Sequence, residues 1–259
     1  MSPEGEVRYR RDGLVGHIVV DRPAARNAMT PAMYAQLDAA CAAIAADPEL
    51  RCVVLRGTGG KSFVSGSDIG QFLAFTSGAD GLDYEARMAA HLDAIAGIAV
   101  PVVAVIEGFA VGGGLNMAAS CDIRIATTGS KFGTPIAKGL GNCLSASNYA
   151  RLLHAVGEGR ARRMLLLGEL LEVEDMLPSG FLTRVVAPEG LEATVDEITA
   201  QLVANAPLSM RASKTALARL TAPEVADIAD MIEMVYGSAD FRDAVRAFTE
   251  KRQPVFRGE

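Results

Sequence analysis

The chain of 259 residues has no tryptophan, few histidines and no excess of basic residues. Its net charge is −6, and no stripe of Lys or Arg runs along it, which disfavours a nucleic-acid-binding protein. No apolar run reaches the length that crosses a membrane, and the charged N-terminus lacks the apolar core of a signal peptide. The sequence therefore predicts a cytoplasmic protein with neither a nucleic-acid nor a membrane partner.

The cysteines and histidines form no metal-binding pattern. Cys41, Cys52, Cys121 and Cys143 include no Cys-x-x-Cys pair, and no histidine lies at the spacing of zinc ligands. We therefore expect no metal site and reduced thiols, with Cys143 as the one candidate for another role.

Apolar residues make up half of the chain, and their pattern predicts an α/β fold. The short runs CVVLRG and PVVAVIEG are continuously apolar, which is typical of strands covered on both faces. Helical patterns separate such runs, one over residues 30–46 and another over about residues 83–98. Thr30 is the expected N-cap of the first helix. An α/β core with a helical C-terminal part is the expected architecture.

Three glycines, Gly112 to Gly114, open one of the predicted helices in the stretch FAVGGGLNM. The first N–H groups of a helix have no partner within it, and the helix dipole makes that end electropositive. Glycines let an oxygen approach these N–H groups without a Cβ in the way. The triplet could form half of an oxyanion hole, and close packing of a strand–helix turn explains it equally well.

The stretch SFVSGSDI has the same order of features. The end of an apolar strand leads to Gly66, and Asp68 stands at a helix-capping position. The N–H of Ser67 would be a second donor. Two donors from separate turns that meet at one oxygen would polarise a carbonyl and hold an enolate.

Several segments together resemble the crotonase (enoyl-CoA hydratase/isomerase) superfamily. The segments DRPAARNAMT and SFVSGSDI resemble its RP…NA and F-x-x-G-x-D segments. PVVAVIEGFAVGGGLNMAASCDIRIA resembles its long glycine-rich block nearly residue for residue, and KFGTP and FTEKRQPVF fit as well. The resemblance covers nearly the whole chain and implies an α/β fold, a crotonase-like spiral of ββα units with a C-terminal helical oligomerisation region.

The resemblance also implies a division of the chain and a ligand. Residues 1–195 would form the spiral core that binds acyl-CoA, and residues 196–259 the helical region that builds a homotrimer or hexamer. The substrate would be an acyl-CoA thioester, with no cofactor beyond the coenzyme A that is part of it. The N–H groups of Ser67 and Gly113 would hold the thioester oxygen.

Six positions are implied to bind the CoA moiety: Arg26, Ser65, Ser67, Asp68, Phe248 and Lys251. Ser65 and Ser67 lie on the segment whose backbone meets the adenine in the family. Arg26 is near the place of a basic residue beside the CoA phosphates. Phe248 and Lys251 match tail positions that reach CoA, sometimes in another subunit. Without the resemblance, Arg26 and Lys251 would be interpreted as solvated surface charges.

Two positions depart from the family pattern. The family's hydratases have glutamates where this chain has Asn116 and Ile136. Asn116 follows Gly113 by three residues, so both face the same side of the helix. An amide can hydrogen-bond the substrate but cannot exchange a proton, and Ile136 can do neither. Because each well-placed acid or base contributes about 10²–10⁴ in rate, efficient hydration of an enoyl-CoA is not expected.

The segment GLGNCLSASNYARL resembles the G-x-G-N-D stretch of 4-chlorobenzoyl-CoA dehalogenases, with Cys143 in place of their nucleophilic Asp. A thiolate is a good nucleophile, so Cys143 is a candidate for attack on an acyl or alkenyl carbon. The alternative is a small apolar side chain in the pocket wall. His91 is a candidate proton carrier, or else a solvent-facing helix residue.

Three functions are consistent with these observations. The first is an enzyme of the enoyl-CoA hydratase/isomerase family, of lyase or isomerase type, that stabilises a thioester enolate or oxyanion. The second is a degenerate protein that binds acyl-CoA without chemistry. The third is a Cys143-dependent acyl-CoA hydrolase or dehalogenase-like enzyme. In each case the segment 74–85, which is rich in small residues, is expected to line or cover the acyl pocket and to be mobile.

Overall fold

A computed structural model of the protein describes residues 4–221 and 229–255. Within these residues the strands are β1 (Glu6–Asp12), β2 (Val15–Asp21), β3 (Cys52–Gly57), β4 (Ser62–Val64), β5 (Val102–Ile106), β6 (Phe109–Val111), β7 (Ile123–Thr127), β8 (Lys131–Gly133), β9 (Leu171–Glu172) and β10 (Arg184–Val186). The α-helices are α1 (Pro31–Ala45), α2 (Gly78–Ala96), α3 (Gly113–Ala119), α4 (Ile136–Gly139), α5 (Ala146–Val156), α6 (Glu158–Leu166), α7 (Val173–Met176), α8 (Leu191–Ala204), α9 (Pro207–Thr221), α10 (Ala229–Tyr236) and α11 (Ala239–Thr249).

The strands form two sheets, and the chain adds strands to both as it winds along the spiral. The six-stranded sheet has the order β1-β2-β3-β5-β7-β10, and the four-stranded sheet has the order β4-β6-β8-β9. From β3 to β8 consecutive strands alternate between the sheets, and each pair is followed by a helix: β3, β4 and α2; then β5, β6 and α3; then β7, β8 and α4. The predicted α/β spiral of ββα units is confirmed.

The continuously apolar strands are covered on both faces. Val53 and Leu55 of β3 face the main core, whereas Cys52 and Val54 face a second cluster that includes Val195 of α8. Alternate side chains of a strand point to opposite faces, so both sets must be apolar when helices cover both faces.

The predicted boundary between residues 195 and 196 falls inside α8. Leu191, Val195, Ile198 and Leu202 of this helix pack together against the six-stranded sheet. Residues 1–3, 222–228 and 256–259 of the two predicted ranges lie outside the described residues. No helix in the described part of the chain is both long enough and apolar enough to cross a membrane. The oligomerisation role of the C-terminal region stays a prediction.

Helix α2 begins five residues earlier than predicted. The Asp80 carboxylate accepts the N–H of Ser77 (2.9 Å), which caps the helix ahead of the glycines. A Cβ on Gly81 would run into the Tyr236 ring of α10. The small residues of segment 74–85 therefore allow α10 to pack closely on α2, and the expected mobility is not needed to explain them.

Candidate active site

A cavity of about 180 Å³ lies where the loops after β4 and β6 meet α2 and α5. Its apolar lining includes Ile69, Phe72, Met88, Leu92, Val111, Ile136, Leu140 and Leu144. Its polar lining comprises Tyr34, Ser65, Ser67, Tyr84, Glu85, Asn116, Asn142 and Asn148. The backbone of Gly66, Gly112 and Gly113 completes one wall. Ser65, Ser67, Gly113, Asn116 and Ile136, all predicted from the sequence, are thus brought together.

The loop after β4 pairs with Met29 through a parallel β-bridge at Ser67. The N–H of Met29 donates to the carbonyl of Gly66 (2.8 Å), and the N–H of Asp68 donates to the carbonyl of Met29 (2.8 Å). Successive N–H groups of an extended segment point to opposite sides, so that of Ser67 points away from Met29. Within the described chain the Ser67 N–H donates no hydrogen bond.

The loop after β6 turns sharply into α3. Gly112 has φ 58° and ψ −123°, a conformation that favours glycine, and its N–H donates to the carbonyl of Gly133 (2.8 Å). Gly113 is the first residue of α3, so its N–H has no partner in the helix. No acceptor in residues 4–221 or 229–255 pairs with it either. A Cβ on Gly114 would run into the carbonyl of Val64, so the third glycine lets α3 lie against β4.

The two loops are in contact. A Cβ on Gly66 would lie 3.5 Å from the amide nitrogen of Gly113 and 3.4 Å from the carbonyl oxygen of Val111. The two unpaired N–H groups, those of Ser67 and Gly113, therefore stand on neighbouring loops in one wall. Such a pair suits an oxygen atom on which negative charge develops.

A chain of hydroxyl groups fixes the Ser67 side chain. Its Oγ lies 2.9 Å from the Tyr34 hydroxyl and 2.7 Å from the Tyr84 hydroxyl. Burial raises the pKa of both tyrosines, that of Tyr34 to about 12, so they stay protonated. The Tyr34 ring stacks on His91, whose Nδ1 lies 2.8 Å from Asp38 Oδ1. The solvent-facing interpretation of His91 is thus wrong, and His91 is not a cavity-lining residue either: it supports Tyr34.

Asn116 is buried in the cavity wall without a partner for its side-chain oxygen. It is 1 % exposed, and its Oδ1 accepts no hydrogen bond within the described chain. Buried polar atoms are nearly always paired, so this atom is available to a bound ligand. Ile136, the first residue of α4, offers only apolar contact from its own side of the cavity.

Glu85 is a buried carboxyl in the same cavity. It is 2 % exposed, and burial raises its pKa from 4.5 to about 7. The Tyr236 hydroxyl donates to its Oε1 (2.8 Å), and the N–H of Ser145 donates to its Oε2 (2.6 Å). A carboxyl with a pKa near neutral in a cleft is a candidate for proton transfer.

The sequence analysis missed Glu85, although a signal was present. Glu85, Met88, Leu92 and Ile95 recur at the spacing of one helical face, and all of them are buried. A single carboxylate in an otherwise apolar stripe of a predicted helix is unusual, and it is the feature that would have pointed to this residue.

An outer groove of about 530 Å³ continues from the cavity. It shares Ser65 and Ser67 with the cavity, and Arg26, Asp68 and Phe248 also line it. Five of the six positions implied to bind CoA thus line one groove of a single chain. The sixth, Lys251, follows α11 as an exposed residue and does not line the groove, although its backbone N–H donates to the carbonyl of Phe248 (3.3 Å).

Two of the groove residues also have structural partners. The Arg26 guanidinium carbon lies 5.4 Å from the centroid of the Phe109 ring. The Asp68 carboxylate accepts the N–H of Gly70 (2.9 Å), as expected of a helix cap, and pairs with Arg22 (2.5 Å). Arg26 has no such carboxylate partner within the described chain, so its charge is available to the groove.

Cys143 does not have the environment of a nucleophile. It is 8 % exposed and is not among the residues that line the cavity or the groove. Burial raises the pKa of its thiol to about 12, whereas a nucleophilic cysteine needs a lowered pKa. The structure therefore disfavours a thiolate here and favours the alternative of a small apolar side chain. In the described residues no group of three or more His, Cys, Asp or Glu is placed to hold a metal ion.

Comparison with known proteins decides the family. The family model described as enoyl-CoA hydratase/isomerase matches residues 10–259. The chain belongs to this family. The resemblance to the crotonase superfamily is thereby confirmed, and the protein is an acyl-CoA-processing enzyme of the enoyl-CoA hydratase/isomerase family.

Relatives of this enoyl-CoA hydratase/isomerase family protein match it over nearly their whole length. The short-chain-enoyl-CoA hydratase of Clostridium acetobutylicum is 32% identical over 252 residues, 95% of each chain. The structure of an enoyl-CoA hydratase/carnithine racemase from Magnetospirillum magneticum has a TM-score of 0.80 at 30% identity, covering 100% of this chain and 98% of that one. Methylmalonyl-CoA decarboxylase in complex with 2-nitronate-propionyl-CoA has a TM-score of 0.88 at 26% identity, covering 98% and 99%.

Proposed function

We propose that the enzyme stabilises the enolate or oxyanion of an acyl-CoA thioester with the N–H groups of Ser67 and Gly113. The observation that carries this proposal is the pair of unpaired N–H groups on two touching loops of one cavity. A donor of this kind contributes about 2.7–4 kcal/mol to the stability of a developing oxyanion.

The relatives and the shape of the site support an acyl-CoA as the substrate. The Clostridium relative is named for a short-chain enoyl-CoA, and the decarboxylase was solved with a propionyl-CoA derivative. The outer groove offers room and the positive charge of Arg26 for the nucleotide and its phosphates. The inner cavity of about 180 Å³ is lined largely by apolar side chains, which suits a short acyl chain.

The lining of the cavity argues against efficient hydration. An acid and a base are needed to add water across a double bond, and neither Asn116 nor Ile136 exchanges a proton, which leaves Glu85 as a single carboxyl in the described lining of the cavity. The unpaired Oδ1 of Asn116 is free to accept a hydrogen bond from the substrate. We infer a lyase- or isomerase-type reaction in which a bond at the α-carbon breaks or forms while the thioester oxygen is held.

The test is incubation with short-chain saturated, unsaturated and malonyl-type CoA thioesters in D₂O. Exchange of the α-hydrogen, observed by NMR, or turnover, observed by mass spectrometry, supports an enolate-forming enzyme. Binding in calorimetry without exchange or turnover of any thioester would instead support the degenerate acyl-CoA-binding protein. Absence of binding would exclude both functions.

We also propose that a second copy of the chain covers α9. From Pro207 to Leu220 no side chain of this helix is buried, and Leu208 and Leu220 are 77% and 83% exposed. Met210 and Lys214 of this helix are half-buried, and Met210 packs against the second cluster. The exposed leucines lie outside that contact, and exposed apolar side chains of this kind are typical of a subunit interface. Native mass spectrometry is expected to give trimers or hexamers, and the double variant Leu208→Glu/Leu220→Glu is expected to give monomers. A monomeric wild-type protein would contradict this proposal.

A further inference from the structure

Glu85 is the only carboxyl that lines the cavity within the described chain. It is almost fully buried, and no Lys, Arg or His among residues 4–221 and 229–255 neutralises it. An ionised carboxyl without a countercharge is costly to bury, so its presence in the wall calls for an explanation beyond packing.

Two neighbours hold the carboxyl in place. The Tyr236 hydroxyl and the Ser145 N–H each donate to one carboxyl oxygen, and the nearby Asn148 side chain lowers its pKa. Each oxygen has two lone pairs, so these contacts orient the group and leave acceptor capacity. A fixed, oriented carboxyl is what proton transfer requires.

The carboxyl faces the same small cavity as the two donors. Tyr84, the residue before Glu85 in α2, hydrogen-bonds to the Oγ of Ser67 (2.7 Å). Glu85, Ser67 and Gly113 together line this one cavity of about 180 Å³. A short acyl group whose thioester oxygen lies at the donors therefore lies in the cavity that Glu85 lines.

We propose that Glu85 exchanges a proton with the α-carbon of the bound acyl group. This proposal rests on the proposed function, because it needs a thioester held by Ser67 and Gly113. The C–H bond of the α-carbon breaks, an O–H bond forms at Glu85, and the electron pair enters the enolate. In the reverse direction the O–H bond breaks and the proton returns to carbon, so no further reactant is consumed.

The surrounding groups leave Glu85 as the one that titrates near neutral pH. The titratable groups that face it are Tyr34 of α1, Tyr84 of α2, Tyr149 of α5, Tyr236 of α10 and Cys143. Burial raises the pKa of every one of them, so all stay protonated at neutral pH. The cation Arg151 of α5 is bound to Asn148 (2.7 Å) and Asp93 (2.5 Å). The pKa of about 7 places Glu85 between its two forms at neutral pH.

The decisive variant is Glu85→Gln, which keeps the shape and a carbonyl acceptor for Tyr236. We expect the rate of α-hydrogen exchange in D₂O to fall about 10²–10⁴-fold. Calorimetric affinity for the same acyl-CoA should change by less than about threefold, since the group acts on the proton and not on binding. The matched control is Glu158→Gln, whose side chain is 67% exposed in α6, and it should exchange as the wild type does.

Tyr236→Phe provides a second test of Glu85. If Glu85 had only a structural role, this variant would not shift the pH dependence of α-hydrogen exchange. The Tyr236 hydrogen bond lowers the pKa of Glu85 relative to burial alone, so its removal raises that pKa. Exchange that requires the carboxylate increases with pH, and its midpoint should therefore move to higher pH in this variant. An unchanged midpoint, or a Glu85→Gln enzyme that exchanges within about threefold of the wild-type rate, would overturn the proposal.

The two proposals fail in different ways. If the wild type exchanges the α-hydrogen and Glu85→Gln does so equally fast, the enolate function stands and the role of Glu85 is wrong. If the wild type binds acyl-CoA but exchanges no α-hydrogen, the enolate function fails and the role of Glu85 fails with it.

Discussion

The cavity has two functional walls that are built in different ways. The donor wall, made of Gly66, Ser67, Gly112 and Gly113, offers backbone N–H groups. The carboxyl wall offers the side chain of Glu85, which partners on α5 and α10 hold in place. Two strand–helix turns are enough to build the first wall, whereas the second needs segments that are far apart in the chain.

This difference in construction determines how each wall responds to substitutions and to pH. The donor wall depends on a few φ, ψ angles and close approaches, such as the φ of 58° at Gly112. Its N–H groups are present whatever side chains surround them. The carboxyl wall depends on burial and on hydrogen bonds to Glu85, so its chemistry responds to pH and to single side-chain changes. Variants that separate the two walls test this contrast.

Among the variants that follow, the largest effect is expected from removing one N–H of the donor wall. Gly113→Pro deletes the donor at the first position of α3, where proline is otherwise compatible with a helix. We expect kcat/KM with an acyl-CoA substrate to fall about 10²–10³-fold.

The control is Gly113→Ala, which keeps the N–H. Its Cβ would have ordinary contacts, 3.4 Å to the Tyr34 hydroxyl and 3.7 Å to the Cα of Gly66. Equal losses of kcat/KM in Gly113→Pro and Gly113→Ala would show that the added side-chain atoms reduce the activity and that the loss of the N–H donor does not.

The second prediction concerns the stability of the protein and tests the carboxyl wall separately from the donor wall. Glu85 has a pKa of about 7 in the folded protein and an ordinary value of 4.5, so the folded state binds this proton more tightly. Stability therefore falls as pH rises between these values, by about 3 kcal/mol in all. Glu85→Gln stays neutral and avoids this loss, although its amide nitrogen cannot accept the Ser145 N–H, which is a constant cost at every pH. Its stability relative to the wild type should therefore rise by about 3 kcal/mol from below about pH 4.5 to above about pH 7.5.

Urea unfolding at both pH values measures the difference. Glu158→Gln, an exposed carboxyl on α6, is expected to shift little at either pH. A Glu85→Gln stability change that is the same at both pH values would contradict the raised pKa of Glu85.

The two walls also differ in what the sequence predicts. The N-cap Thr30, whose Oγ accepts the N–H of Met33 (3.2 Å), and strand CVVLRG at Cys52–Gly57 follow from local patterns and are confirmed. The donor loops follow from glycine positions, because a strand–glycine–helix turn is also local. The long glycine-rich segment that resembles the crotonase superfamily adds the order in which these strand–helix turns follow one another in the spiral.

Glu85 was missed because its chemistry is made by distant partners. Tyr236 lies 151 residues further along the chain, and Ser145 lies 60 residues further along. The apolar stripe of α2 indicates that Glu85 is buried, but no local pattern identifies the distant segments whose packing raises its pKa. Cys143 has the same limitation. Its position in a motif predicts a reactive thiol, whereas its burial, which depends on distant packing, raises the pKa of the thiol and disfavours reactivity.

A smaller effect is expected at Asn116, which lines the cavity from α3. Asn116→Leu removes a buried acceptor that has no partner in the described chain. Leaving such an atom unpaired costs about 1–3 kcal/mol, so the variant should unfold at a higher temperature than the wild type. The lost hydrogen bond to substrate should lower kcat/KM by roughly tenfold. A less stable variant with unchanged kinetics would show that Asn116 serves the fold and not the substrate.

The smallest effect is expected at Cys143, which lies behind the carboxyl wall. Its backbone carbonyl accepts the Tyr236 hydroxyl (3.3 Å), and its thiol contributes only a buried apolar volume. Cys143→Ala keeps that carbonyl and should hold kcat/KM within about twofold of the wild type, because only a small buried side chain is trimmed. Intact-mass spectrometry during turnover should show no acyl adduct on the wild type. An adduct that disappears in Cys143→Ala would restore the covalent mechanism and would mean that substrate binding opens the wall and lowers the pKa of the thiol.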